Sequence, residues 1–248
     1  MNYKTLHSWD MTAEEARVQQ AAMRPLVSLE DGFAALTDIK HIAGVDLSFN
    51  EEKNEGYAVV VVLSFPALEV VEARYATDAL KMPYIPGLLS FRESPVALQA
   101  FAQIETIPDV IMLDGQGQAH PRQFGIACHL GVLLDVSAIG VAKSFLYGEY
   151  DQAAVGEAGD ETPLWDRGRQ HVLGTVMKTK PRTNPLYVSP GHKMSVASAS
   201  RLVRECLRGY RLPEPTRQAH NLITAYKKTG TEGSLPSAPV PKTLTFPL

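Results

Sequence analysis

Three strand-like segments follow one another between residues 42 and 75 with only turn-length connections, and no other stretch restricts the fold so tightly. Ile42-Ala-Gly-Val-Asp-Leu-Ser-Phe49, Tyr57 to Phe65 and Leu68 to Tyr75 are each rich in β-branched or aromatic residues. Asn54-Glu55-Gly56 and Pro66-Ala67 between them are turn signals. Connections this short join antiparallel neighbours, so the three segments form a meander. Ala13 to Leu26, ahead of them, has the pattern of an amphipathic helix capped near Thr12.

The rest of the chain alternates. After the Pro-rich Met82-Pro-Tyr-Ile-Pro-Gly87, a helical pattern runs from about Ser90 to Ile104, and Val110-Ile-Met-Leu-Asp114 reads as a buried strand. A glycine-rich loop leads to a helix over Phe124 to Leu134 and a strand over Ala138 to Ala142. This predicts an α/β domain with a mixed central sheet flanked by helices, three antiparallel strands and then parallel ones. The order is that of a ribonuclease H-like core. Tyr150 to Gly168 is acidic, Gly/Ala-rich and non-periodic, and reads as an excursion or flexible loop. With 248 residues, 45% of them apolar, one domain over 1–228 accounts for the patterned chain, and the Pro/Ser/Gly-rich 229–248 is expected to be a poorly ordered tail.

Several classes fall away. The longest apolar run, Tyr57 to Phe65, is too short to cross a bilayer, and the first ten residues hold no hydrophobic signal core. Cys128 and Cys206 sit in apolar, patterned segments and read as small buried hydrophobes, so a cytosolic protein without membrane contact is expected. A formal net charge of −3 argues against a general nucleic-acid coat, yet leaves a local basic patch open.

Two acids stand out in apolar strands. Asp46 lies between Val45 and Leu47, and a carboxylate there needs a partner or a metal. Asp114 ends Val-Ile-Met-Leu-Asp, where strands of α/β sheets present functional groups. The two can meet at one sheet edge if their strands are neighbours. Taken alone, each is explained as a strand-end turn residue. Glu93, early in the helix pattern, is explained alone by the helix dipole. If all three converge, they cannot stay ionised together without a cation, and hard oxygen donors select Mg²⁺ or Mn²⁺.

The surrounding loops are rich in groups that bind phosphate. Gly115-Gln-Gly-Gln-Ala-His-Pro-Arg-Gln-Phe-Gly125 offers close backbone approach together with His120 and Arg122. Lys143 ends a strand beside it, and Tyr187-Val-Ser-Pro-Gly-His-Lys193 carries Ser189, Gly191 and His192. Leu212-Pro-Glu-Pro-Thr-Arg-Gln-Ala-His220 leads into a helix over Arg217 to Lys228. His220 in isolation is an ordinary surface histidine.

Together these segments resemble the endonuclease V family. The resemblance is carried by Ile42-Ala-Gly-Val-Asp46, Met82 to Gly87 with Leu89-Ser-Phe-Arg-Glu93, Asp114-Gly-x-Gly-x-Ala-His-Pro-Arg122, Ile139-Gly-Val-Ala-Lys143, Ser189-Pro-Gly-His192 and Leu212-Pro-Glu-Pro-Thr-Arg217. These run in the family's order from about residue 10 to 225. The resemblance implies a ribonuclease H-like fold, Asp46, Glu93 and Asp114 on Mg²⁺ (Mn²⁺ also supporting activity), and Lys143 in the active site. His220 falls where the family has His or Asp near the metal. Pro83-Tyr84-Ile85-Pro86 resembles the wedge that enters the duplex where the lesion base is turned out, and His120 matches a lesion-side position. Backbone groups of Gly87, Gly115 and Gly125 are candidates for reading the base. The implied reaction is a nick at the second phosphodiester 3′ to deoxyinosine or another deaminated base in DNA, leaving 3′-hydroxyl and 5′-phosphate ends, by a monomeric enzyme. Cleavage of inosine-containing RNA and a non-catalytic lesion-binding module are the alternatives.

Overall fold

The computed structural model describes residues Met1 to Thr229. The tail expected over 229–248 lies outside them except for Thr229, which ends a helix. The chain forms, in order, α1 (Ala13–Met23), β1 (His41–Asn50), β2 (Glu55–Ser64), β3 (Val70–Ala79), α2 (Leu89–Ala102), β4 (Val110–Leu113), α3 (Ile126–Leu134) and β5 (Ser137–Ala142). β6 (Glu161–Trp165), β7 (Val172–Met177), β8 (Leu186–His192), α4 (Val196–Glu205) and α5 (Glu214–Thr229) follow. Among the described residues no helix is long and apolar enough to cross a membrane.

The strands make an eight-stranded sheet in the order β3-β2-β1-β4-β5-β8-β7-β6. The meander is present: β2 pairs antiparallel with β1 from His41↔Ser64 to Asn50↔Glu55, and β3 pairs antiparallel with β2. β4 then lies parallel to β1, and β5 parallel to β4. This is the expected ribonuclease H-like order. The parallel part stops there, because β8, β7 and β6 return to antiparallel pairing.

Side-chain alternation divides the core in two. Ala43 and Val45 of β1 face Leu98 and Phe101 of α2 and Leu130 of α3. Ile42 of β1 and Met112 of β4 face Leu202 of α4 and Ala219 and Leu222 of α5. Every residue of α3 is buried, as expected of a helix apolar all round. The capped first helix is borne out: Thr12 accepts from the Glu15 N–H, and Glu15 accepts from the Thr12 N–H. Cys128 and Cys206 are free and buried.

Tyr150 to Gly168 is not wholly a loop. Its second half is β6, paired with β7 at the sheet edge. Thr162 and Leu164 point inward while Pro163 points out, and an edge strand tolerates a proline that a central strand would not. α5 also begins three residues before the expected Arg217.

α5 approaches β1 more closely than any side chain allows. A Cβ on Gly44 would lie 1.9 Å from the Pro215 carbonyl oxygen. Gly44→Ala is therefore expected to lower stability by about 3 kcal/mol, the upper range for overpacking, and to displace α5. Thermal unfolding of the purified variant checks this, and an unchanged Tm would contradict the packing.

Candidate active site

Three carboxylates approach one another where β4 ends beside the middle of β1. The β1–β4 register places them: Val45 pairs with Leu113, and the Asp114 N–H donates to the Val45 carbonyl over 3.3 Å. Asp46 has the same parity as Ile42 and Gly44, so it faces α5. Its Oδ1 accepts the Leu47 N–H at 2.9 Å and its Oδ2 meets His220 Nδ1 at 2.9 Å. A carboxylate only accepts, so that ring nitrogen carries the proton. The Lys143 ammonium pairs with Asp114 and lies 3.3 Å from His220 Nδ1.

Glu93 reaches the same place from α2. It is the fifth residue of the helix and only 6% exposed, so the first-turn dipole explanation does not apply. Burial first, then the charges of Asp46 and Asp114, push its carboxyl up to about 8, against the opposing Arg92 guanidinium. Asp114 is also raised, by burial and then by Asp46, while Lys143 pulls it down. Among the described residues no three His, Cys, Asp or Glu side chains already stand close enough to hold a metal ion. The donor set nevertheless fits one. Hard oxygens that repel one another at a single buried edge are the donors that a divalent cation takes, and the Lys143 ammonium pairs with one of them.

Asp46, Glu93, Asp114 and Lys143 line a cavity of about 430 Å³ together with Tyr84, Pro86, Gly87, Gly115, His120 and Gly125. Tyr84 is 64% exposed at its rim, and Pro83 is exposed beside it. Ile85 turns inward against Met82, Leu88 and Phe91. Ile85 to Leu88 form a type II turn closed by a 2.9 Å bond from the Leu88 N–H to the Ile85 carbonyl. Pro86 presets that turn, and Gly87 at φ +79° occupies the position that disfavours any side chain. His120 is 4% exposed and held down to about 4 by burial and by Arg122. Its Nδ1 accepts the Arg122 N–H at 3.1 Å, so the neutral ring carries its proton on Nε2.

The other expected substrate residues serve the frame. The Arg122 guanidinium donates to the Gly87 carbonyl at 2.6 Å and to Gln20 Oε1, which leaves it bracing the turn outside the cavity lining. Ser189 Oγ accepts the Gly117 N–H at 2.9 Å, supporting the glycine loop from behind. A Cβ on Gly191 would lie 2.5 Å from the Ala127 carbonyl, and His192 Nδ1 accepts the Ser28 N–H at 3.2 Å. None of these three lines the cavity.

Sequence reasoning missed Gln20, Ser90, Gln116, Phe145 and Leu146, which do line it. Gln20 Nε2 bridges the Phe124 carbonyl at 2.7 Å and the Gly87 carbonyl at 3.2 Å, contacts that no local pattern in α1 announces. The exposed Phe145-Leu146 pair after Lys143 was a legible signal. Among the described residues Gln116 Oε1 and Ser90 Oγ are buried without hydrogen-bond partners, so a polar ligand in the cavity would satisfy them.

A family model described as Endonuclease V matches residues 21–221. An Endonuclease V of Gloeobacter violaceus is 46% identical over 228 residues, covering 90% of this chain and 89% of its own. The crystal structure of Endonuclease V from Streptomyces avermitilis is 36% identical, with a TM-score of 0.82 over 90% of this chain and 96% of that one. Ciona intestinalis Endonuclease V, solved with a 24mer DNA containing an inosine followed by a ribo-adenosine, is 29% identical, with a TM-score of 0.77 over 88% and 98%.

The raised Glu93 carboxyl has a consequence for metal-free stability. Its folded value of about 8 exceeds the ordinary 4.5, so between them the folded chain keeps a proton that the unfolded chain releases. Stability in EDTA should therefore fall as pH rises from about 4.5 to about 8, by about 1.4 kcal/mol per unit at most. Glu93→Gln should flatten that slope and unfold later than the parent at pH 8. Denaturant titrations of both proteins at pH 5.5 and 8 check it.

Proposed function

The chain belongs to the endonuclease V family, and on that premise we propose that it is a DNA repair endonuclease for deaminated purines, chiefly deoxyinosine. It works as a cytoplasmic monomer and hydrolyses the second phosphodiester 3′ to the lesion with Mg²⁺, or Mn²⁺, leaving 3′-hydroxyl and 5′-phosphate ends. One observation carries the reading: a single cavity has Asp46, Glu93 and Asp114 at one end and the stiff Tyr84–Gly87 turn at its rim. That is the arrangement needed to hold an extruded base close to the bond being cut.

Tyr84 stacks where the base has left, and its preset turn limits the ordering lost on binding. Apolar or aromatic wedges of this kind offset a few kcal/mol of unstacking. The base enters the cavity, where backbone groups of Gly87, Gly115 and Gly125 read the hypoxanthine edge. A site built for that donor and acceptor order would leave adenine with unpaired buried groups. His120, neutral and fixed in one tautomer, directs its Nε2–H at the Gly87 backbone and so helps to hold the turn beside the base.

Asp46, Glu93 and Asp114 would hold the metal, with His220 as an adjoining ligand or water-orienting group. A bound divalent ion supplies Lewis acidity, lowering the pKa of water and offsetting charge on the phosphoryl group and the leaving 3′-oxygen. Glu93 would have to be ionised to serve as a ligand, and Lys143, which pairs with Asp114, would be placed to meet a phosphate oxygen. His220, anchored by Asp46, keeps its second nitrogen for water.

The Ciona intestinalis complex, in which a ribo-adenosine follows the inosine, favours one second reading. In it, the chain also accepts ribose beside the lesion and so cuts inosine-containing RNA. Side-by-side cleavage of inosine in DNA, in DNA with one following ribonucleotide, and in RNA ranks the two.

Asp46→Ala and Asp114→Ala are each expected to slow nicking of inosine DNA in Mg²⁺ by more than about 100-fold, since even outer partners of metal ligands cost about 10- to 100-fold. Wild-type rates in either would remove the metal role. Tyr84→Ala should chiefly raise KM, because one base stack contributes about 1–3 kcal/mol. Steady-state nicking assays separate the two effects.

A further inference from the structure

Outside the cavity, Lys180, Tyr210 and Arg217 come together on the α4–α5 side of the sheet. The Arg217 guanidinium carbon lies 4.3 Å from the Tyr210 ring centroid and the Lys180 ammonium 6.0 Å. Tyr210 is 43% exposed, and Lys180 and Arg182 on the β7–β8 connection are exposed with it. Buried Glu214 neutralises Arg217 through bonds of 2.5 and 2.7 Å. Lys180 and Arg182 make no ion pair among the described residues, so the patch keeps positive charge in a chain of net −3.

Two tethers fix this patch to the catalytic edge. Arg211, next to Tyr210, donates to the Lys143 carbonyl at 2.7 Å and to the Asn184 and Pro185 carbonyls at 2.9 and 3.1 Å. Arg217 stands three residues before His220 on α5, which makes them neighbours along one helix face. The rim residue Tyr84 belongs to the opposite, α2 side. A strand with its lesion at Tyr84 and a phosphate at the carboxylates therefore leaves across the patch.

We propose that Lys180, Arg182 and Tyr210 form a backbone-binding surface for the nucleic-acid strand on the 3′ side of the scissile bond. The proposal rests on the endonuclease reading for its polarity. The negative ring face of Tyr210 holds the Lys180 ammonium in place, while Lys180 and Arg182 meet successive phosphates. An aromatic ring suffices for this, and the phenol oxygen does not.

The test uses inosine oligonucleotides with long flanks on both sides, with the 3′ flank trimmed close to the nick, or with the 5′ flank trimmed. The variants are Lys180→Ala/Arg182→Ala, Tyr210→Ala, Tyr210→Phe and, as a control at the far end of β1, Lys40→Ala. On the long substrate at about 150 mM salt the double variant should raise KM roughly three- to tenfold at unchanged kcat. The slope of log(kcat/KM) against log[salt] should shrink by about 1 to 2. Tyr210→Ala should behave alike, while Tyr210→Phe and Lys40→Ala match the parent. The defect should vanish when the 3′ flank is trimmed and persist when the 5′ flank is. Parental KM in the double variant, or a defect that survives 3′ trimming, overturns the surface. Anisotropy binding of the same labelled oligonucleotides in EDTA should rank the variants identically. A parent that fails to nick inosine would thus defeat the endonuclease reading and still leave the surface measured.

Discussion

Three carboxylates at one buried edge repel each other, and much of the local structure serves to hold them there. The chain meets that repulsion in three ways. Glu93 keeps its proton, Asp114 takes the Lys143 ammonium, and Asp46 takes the His220 ring N–H. Each engages a group that the proposed hydrolysis would use in another state.

The turn at the rim depends on rigidity instead. The Gly87 carbonyl accepts from both Gln20 and Arg122, and the half-buried Ile85 packs beneath it. Tyr84 consequently projects from a support that α1, α2 and the glycine-rich segment all share. Burial and then the Arg17 guanidinium lower the pKa of Arg122, a cation that faces carbonyls in the frame. A segment proposed as a wedge has to stay still while a duplex yields to it, and these bonds supply that rigidity.

The meander, the strand ending at Asp114 and the first helix were legible because each has a local signature: turn residues, an apolar run, a capping box. Parity along β1 also contained the side on which Asp46 lies, since Ala43 and Val45 fill one core and Ile42 the other. β6 was hidden by its proline and its acidic approach, and Gln20 by partners more than sixty residues away. Arg122, Ser189 and His192 lie outside the cavity lining, which residue type alone did not announce. A guanidinium, a hydroxyl or an imidazole that would suit a phosphate suits a backbone carbonyl or amide equally well, and residue type cannot separate those uses. Only the bonds to Gly87, Gly117 and Ser28 do.

The site draws on both cores at once. Glu93 and the Tyr84 turn come from the α2 layer, His220 and the patch around Tyr210 from the α5 layer, and the sheet edge carries Asp46 and Asp114 between them. Neither layer alone assembles a ligand set, so the spacing of the two across the sheet governs the chemistry. Gly44 is where that spacing is decided. The Pro215 carbonyl rests against its Cα two residues before Asp46, at a separation that any side chain would widen. The distance from His220 to Asp46 is thereby fixed by the absence of a single carbon, and α5 becomes part of the catalytic edge as well as its cover.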